Sequence, residues 1–375
     1  MSARLARFLA VALCLALAAC GQTTSQMMLK PVEAEATGAR RVPLLVATPR
    51  GLDEATGEFN NERKEHLTYN SLTVSLPPGH VQGQVEWPSG PVGDPEKHFV
   101  TLANTVMDET TFQRELDRHL PPSGDVLVFM HGYNTAYEEG VYRLAQIAGD
   151  AKLISLPLLF SWPSRGDLTD YLTDRESAMA SRNRLMHLLE LLSRHPRIRR
   201  IDVMAHSMGT LLAMETLVQM KLKGNGELNN KLNTIVLAAP DIDVDVFRAQ
   251  FEIIGKRNKP TIVMTSRDDK ALNLSRRIAG NVVRAGAASL RSRKTIEFVQ
   301  RMGITAYDLT EIETSDKTNH GKFASSPAVV QQLGAQLNGN DKQQNPITTV
   351  GTFFIDAAGE ILATPSNVLS RVTGR

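Results

Sequence analysis

The chain has 375 residues, 42% of them hydrophobic, which is enough for a sizeable core in one large domain or two ordinary ones. Its 42 basic and 40 acidic residues give a formal charge of +2, and loss of residues 1–19 would remove Arg4, Arg7 and no acid, bringing it to zero. Charge therefore gives no argument for nucleic acid as a partner, and no apolar run long enough for a spanning helix follows the N-terminal segment.

That segment has the layout of a secretory signal: Arg4 and Arg7, an apolar stretch over 8–17, then small residues before Cys20. Leu17-Ala18-Ala19-Cys20 resembles a bacterial lipobox, which implies removal of residues 1–19 and acylation of Cys20. Several acyl chains on one residue make a firm membrane anchor, whereas one chain alone holds only marginally. Gly21 stands where an aspartate would signal retention, so the resemblance points to the outer membrane, facing the periplasm. Cys14 and Cys20 are the only cysteines, so the mature chain offers no disulfide. Residues 20–40 are expected to be the lipidated cysteine and a flexible tether, 41–340 a single folded domain, and 341–375 a C-terminal extension.

Within the domain, strands are expected at 42–48 and 72–76, with loop-rich sequence elsewhere up to about 98. A further strand over 99–106 and a short helix over 111–119, capped by Thr111, follow. Residues 125–130 form an apolar run bounded by Gly124 and Gly132, as a strand buried on both faces reads. Helix 136–150, strand 156–160, a loop at 161–166 and an amphipathic helix over 175–194 come next. Strand 201–204 runs into a turn at Ser207, and the helix after it ends before Gly224. Strands at 234–239, 261–265 and 304–309 alternate with helices at 245–254 and 271–279, and Pro327 opens a last helix. This alternation calls for an α/β fold with a mostly parallel sheet covered on both faces. Residues 350–355 read either as an extra strand or as a segment packed on the surface.

The chemistry gathers at strand ends. Ala205-His206-Ser207-Met208-Gly209 has the form of a nucleophile turn, in which the residues two before and two after the serine must be small. A serine hydroxyl needs a histidine to take its proton, a carboxylate to orient that histidine, and donors for the oxyanion. Asp268 and Asp269 follow strand 261–265, His320 follows strand 304–309, and His131-Gly132-Tyr133-Asn134 follows strand 125–130. The amides of Met208 and Tyr133 are the candidate oxyanion donors. His320 is the candidate base and Asp269 the candidate acid, with Asp241 the alternative and Asp268 and Asp243 nearby. His206 reads as a packing residue of the turn and His131 as a support of the oxyanion loop. Trp162 and Pro163 either line an acyl pocket or pack. The basic residues between 276 and 301 either form a solvated helical face or meet anionic headgroups. No histidine pair has metal-ligand spacing and no glycine loop has the phosphate-binding form, so no metal or cofactor is expected.

These pieces, with Val46-Ala-Thr-Pro-Arg50, Phe160-Ser-Trp-Pro-Ser164 and Ala239-Pro-Asp-Ile-Asp243, resemble the α/β-hydrolase superfamily. Within it they are similar to a bacterial esterase/lipase-like group of unknown function. The resemblance spans about 41–340 and implies Ser207, Asp269 and His320 as a catalytic triad, but it supplies no substrate; a triad of this kind is expected to act on a small-molecule or lipid ester. Acyl transfer, or amide or thioester cleavage, would use the same residues. A non-catalytic envelope lipoprotein that binds a partner is the reading from a different class.

Overall fold

The computed structural model describes residues 26–339 apart from Pro91 and Leu168, and beyond them the backbone of 353–355 and 361–362. The expected signal segment, Cys20 and most of the extension 341–375 lie outside the described residues.

The core is a sheet in the order β3-β2-β1-β5-β4-β6-β7-β8-β9. Its strands are β1 (Arg40–Asp53), β2 (Glu58–Leu76), β3 (Val100–Met107), β4 (Asp125–Met130), β5 (Leu156–Phe160), β6 (Arg200–His206), β7 (Leu232–Ala238), β8 (Thr261–Thr265) and β9 (Thr305–Asp308). Strands β1 and β4 to β9 run parallel, while β2 and β3 add an antiparallel edge. At the other edge a short strand β10, Phe353–Ile355, pairs antiparallel with β9, in line with the extra strand expected there.

Alternate residues of each central strand enter opposite cores. Val126, Val128 and Met130 of β4 join one apolar cluster and Leu127 and Phe129 the other, as the two-residue period of a strand requires. The first cluster is closed by α1 (Glu109–His119), α4 (Arg182–Arg194), α5 (Met208–Leu222) and α6 (Val244–Ile254), the second by α2 (Tyr137–Asp150) and α10 (Pro327–Leu337). The remaining helices are α3 (Tyr171–Ala180), α7 (Lys270–Ile278), α8 (Arg293–Met302) and α9 (Lys322–Ser325).

Four local expectations are corrected. The stretch read as loop-rich up to 98 holds a long hairpin, because β1 and β2 stay paired from Arg40↔Leu76 out to Asp53↔Glu58. The amphipathic helix over 175–194 is two helices that meet at Ser181, whose hydroxyl bonds back to the Ser177 carbonyl at 2.8 Å. Helix α1 is capped by Asp108, which accepts from the Thr111 amide at 2.8 Å; Thr111 lies inside the helix. Residues 28–36, assigned by composition to the tether, pack on the domain: Leu29 is buried, the Val32 amide donates to Thr101, and Tyr142 donates to the Met28 carbonyl.

Candidate active site

Ser207 sits between the last residue of β6 and the first of α5 with φ 52° and ψ −125°, a conformation that side-chain-bearing residues avoid. Its neighbours explain how the turn closes. A Cβ on Gly209 would lie 2.3 Å from the His131 carbonyl oxygen, and one on Gly132 would lie 2.8 Å from His206 Nδ1 and 3.0 Å from Ser207 Cβ. Gly209 is thus required by close approach of backbone, and Gly132 by the side chains of His206 and Ser207 packed against it. Ala205, where the commoner motif has a third glycine, is still within β6, and its methyl group is accommodated in the core.

His320 lies on the loop after β9 and lines the same cleft as Ser207. Its Nδ1 is 2.7 Å from Asp269 Oδ2, so Nδ1–H donates and Nε2 is left as the basic nitrogen. Asp269 is fully buried, and its other oxygen caps α7 by accepting from the Leu272 amide at 2.8 Å. One carboxylate therefore fixes both a helix start and a histidine ring. Burial alone would push the His320 imidazole down; Asp269 beside it, with Asp241 and Asp316, outweighs that, and its pKa stands above the ordinary histidine value.

The alternative acid is engaged elsewhere. Asp241 faces Arg284 Nε at 3.3 Å and accepts from Ser275 Oγ at 2.5 Å and Tyr171 Oη at 3.0 Å. Asp268 pairs with the Lys322 ammonium at 2.9 Å and accepts from the Asn319 amide, so it anchors the His320 loop from outside. Asp243 caps α6.

Two residues that sequence reasoning did not single out for this role hold the candidate base. Asp316 Oδ2 accepts from the His320 and Gly321 amides at 2.8 and 2.6 Å, and its Oδ1 from Thr318. The signal was the Asp316-Lys-Thr318 spacing, which is that of an Asx turn. His206 Nε2–H donates to the His320 carbonyl at 3.1 Å, and burial holds its imidazole well below the ordinary histidine range. The packing residue of the turn thus also tethers the loop of His320.

On the oxyanion side, the Met208 amide heads α5, where helix geometry leaves N–H groups without intrahelical acceptors. The Tyr133 amide follows β4, and neither N–H has a protein acceptor among the described residues. The loop is propped from beneath. His131 Nδ1–H donates to the Gly132 carbonyl at 2.9 Å, its Nε2 takes the Ser161 hydroxyl at 3.3 Å, and its ring stacks on Trp162 at 5.0 Å. Burial, with the Arg50 charge adding to it, pushes the His131 pKa down to about 3, so it stays neutral. Trp162 is fully buried and donates to the His131 carbonyl at 2.9 Å, which is the packing alternative expected for it. Arg50, itself buried, reaches Ser161 Oγ at 3.2 Å and the Thr135 carbonyl at 3.1 Å.

The cleft above Ser207 has a volume of about 200 Å³ and is lined by Tyr133, Asn134, Tyr171, Asp241 and, from α7, Leu272, Leu274 and Ile278. Pockets that enclose drug-sized ligands start at roughly 300 Å³. A larger substrate therefore extends past the mouth.

A comparison with curated proteins finds no match. Among solved structures, an esterase of Pyrobaculum calidifontis aligns at 11% identity over 84% of this chain and 88% of its own, with a TM-score of 0.37. A Rhizomucor miehei esterase aligns at 12% over 81% and 85%, with a TM-score of 0.37. Est1E of Butyrivibrio proteoclasticus aligns at 8% over 59% and 92%, again at 0.37. Likeness at that level assigns no substrate. The model of the family described as alpha/beta hydrolase of unknown function (DUF900) matches residues 108–337, which hold Ser207, Asp269 and His320, and the chain belongs to that family.

Proposed function

We propose that the protein is a serine hydrolase that cleaves carboxylic esters through an acyl-serine intermediate, anchored by acylated Cys20 in the bacterial envelope. The observation that carries the catalytic part is the 2.7 Å contact of His320 Nδ1 with buried Asp269, in a cleft shared with a serine held at positive φ. Ser207 Oγ attacks the ester carbonyl as His320 Nε2 takes its proton, and the amides of Met208 and Tyr133 receive the oxyanion. Collapse of the tetrahedral species expels the alcohol, which leaves with the proton from His320. Water, deprotonated by the same nitrogen, then releases the acid and restores Ser207.

A fluorophosphonate probe tests this directly. The protein should label and the Ser207→Ala variant should not, and that variant should lose kcat on nitrophenyl acetate by a factor on the order of 10⁶. Equal labelling of the two proteins overturns the reading.

A further inference from the structure

Half of the large apolar side chains left exposed among the described residues, Leu172, Val246, Leu274, Ile278, Val282 and Val283, stand on segments around the cleft. Leu274 and Ile278, 51% and 46% exposed, lie one turn apart on α7 and line the cleft beside Ser207 and His320. Leu172, next in the chain to Tyr171 of the cleft, and Val246 line a second groove, and Val283 accepts from the Val244 amide at the start of α6. Single exposed apolar residues need no explanation, but a cluster around a functional opening does.

The segment that carries α7 is one-sided in charge, whereas Asp167 and Asp170 stand near Tyr133 of the cleft. Residues 270–301 carry eight basic side chains and one acid, Glu297. Arg284 is buried on Asp241, and Arg293 and Arg301 pair with Glu297 and Glu252. Arg276 and Arg277, on α7 beside Leu274 and Ile278, have no carboxylate in ion-pair range among the described residues. The acids facing the groove are Glu176 and Glu215, while Asp243 caps α6 and Asp245 pairs with Arg248.

We propose that this rim docks on an anionic phospholipid surface and that the substrate is an acyl ester presented there. The second half rests on the hydrolase reading above; the first does not. An apolar ring enters the acyl boundary while Arg276 and Arg277 meet headgroup charge, each such cation adding attraction to an anionic leaflet. The small cleft takes the ester and the first part of the chain, and the remainder lies along Leu274 and Ile278.

The test places an indole on the rim by Val283→Trp, and separately by Val282→Trp, in the full chain carrying Ser207→Ala and Cys20→Ser, so that no acyl chain brings the protein to lipid. The vesicles are phosphatidylglycerol mixed with phosphatidylcholine brominated on its acyl chains. Quenching of the added indole emission by the anionic vesicles, weak with phosphatidylcholine alone, is expected. Adding Arg276→Glu with Arg277→Glu should raise the half-saturating lipid concentration at least tenfold, yet leave the rate on soluble nitrophenyl acetate, with Ser207 intact, within twofold. No quenching in either indole variant, equal quenching by both lipids, or an emission shift that follows protein concentration without lipid overturns the proposal. Quenching without hydrolysis of the soluble ester overturns the hydrolase reading and leaves docking standing; hydrolysis without quenching does the reverse.

Discussion

Asp269 and Asp241 follow neighbouring strands, β8 and β7, and both are buried beside the same cleft. Their partners separate them. Asp269 faces an imidazole that can gain and lose a proton, whereas Asp241 faces Arg284, whose charge is permanent. Burial and position at a strand end are common to both loops, so neither identifies a catalytic acid. The group on the far side of the hydrogen bond is what sets them apart in the proposed mechanism. Asp241 still acts on His320 through space, adding to the field that raises its pKa.

Substitution of the two acids should pull them apart. Asp269→Asn removes the charge that stabilises the imidazolium and is expected to lower kcat on nitrophenyl acetate by about 10⁴-fold. Asp241→Asn should change kcat less than tenfold but leave Arg284 buried without its counter-charge, at a cost of about 3–5 kcal/mol in urea unfolding. Equal kinetic losses would erase the distinction. The pH dependence sharpens it. The base works only when neutral, and its pKa is raised, so the acid limb of kcat/KM should have its midpoint above about 6.5. Without the Asp269 charge the limb should move to lower pH, and the same direction with a smaller shift is expected for Asp241→Asn. The smallest effect concerns the tether on the base: His206→Phe keeps a ring in the turn but loses the bond to the His320 carbonyl, worth about 1 kcal/mol. Its expected signature is a loss of several-fold in kcat/KM with little change in KM.

Much of the site could be read from the chain because the central strands are buried on both faces and appear as short apolar runs, each followed by a polar strand end. Ser207 and His320 line one cleft and Asp269 meets His320, each from a different strand end. The β1–β2 hairpin was hidden for the opposite reason. Its outer half, Asn60-Asn61-Glu62-Arg63-Lys64-Glu65-His66, is mostly exposed, so no alternation of apolar and polar residues marks it as strand. The Asp241–Arg284 pair spans 43 positions, and only tertiary packing reveals which cation meets which acid. Arg50 was legible as part of a motif but not as a prop, since its partners Ser161 and Thr135 lie on other loops.

That arginine bears on where the catalytic unit begins. The stretch matching the family starts at residue 108 and contains every group in the proposed chemistry, yet the loop that offers the Tyr133 amide rests on a cation supplied by β1. The same strand pairs with β5, giving the parallel sheet its outer parallel member. A fragment that carries only the reactive residues would keep the reagents and lose part of the mould that holds them. In the proposed mechanism, the N-terminal strand that carries Arg50 belongs to the site as much as to the scaffold.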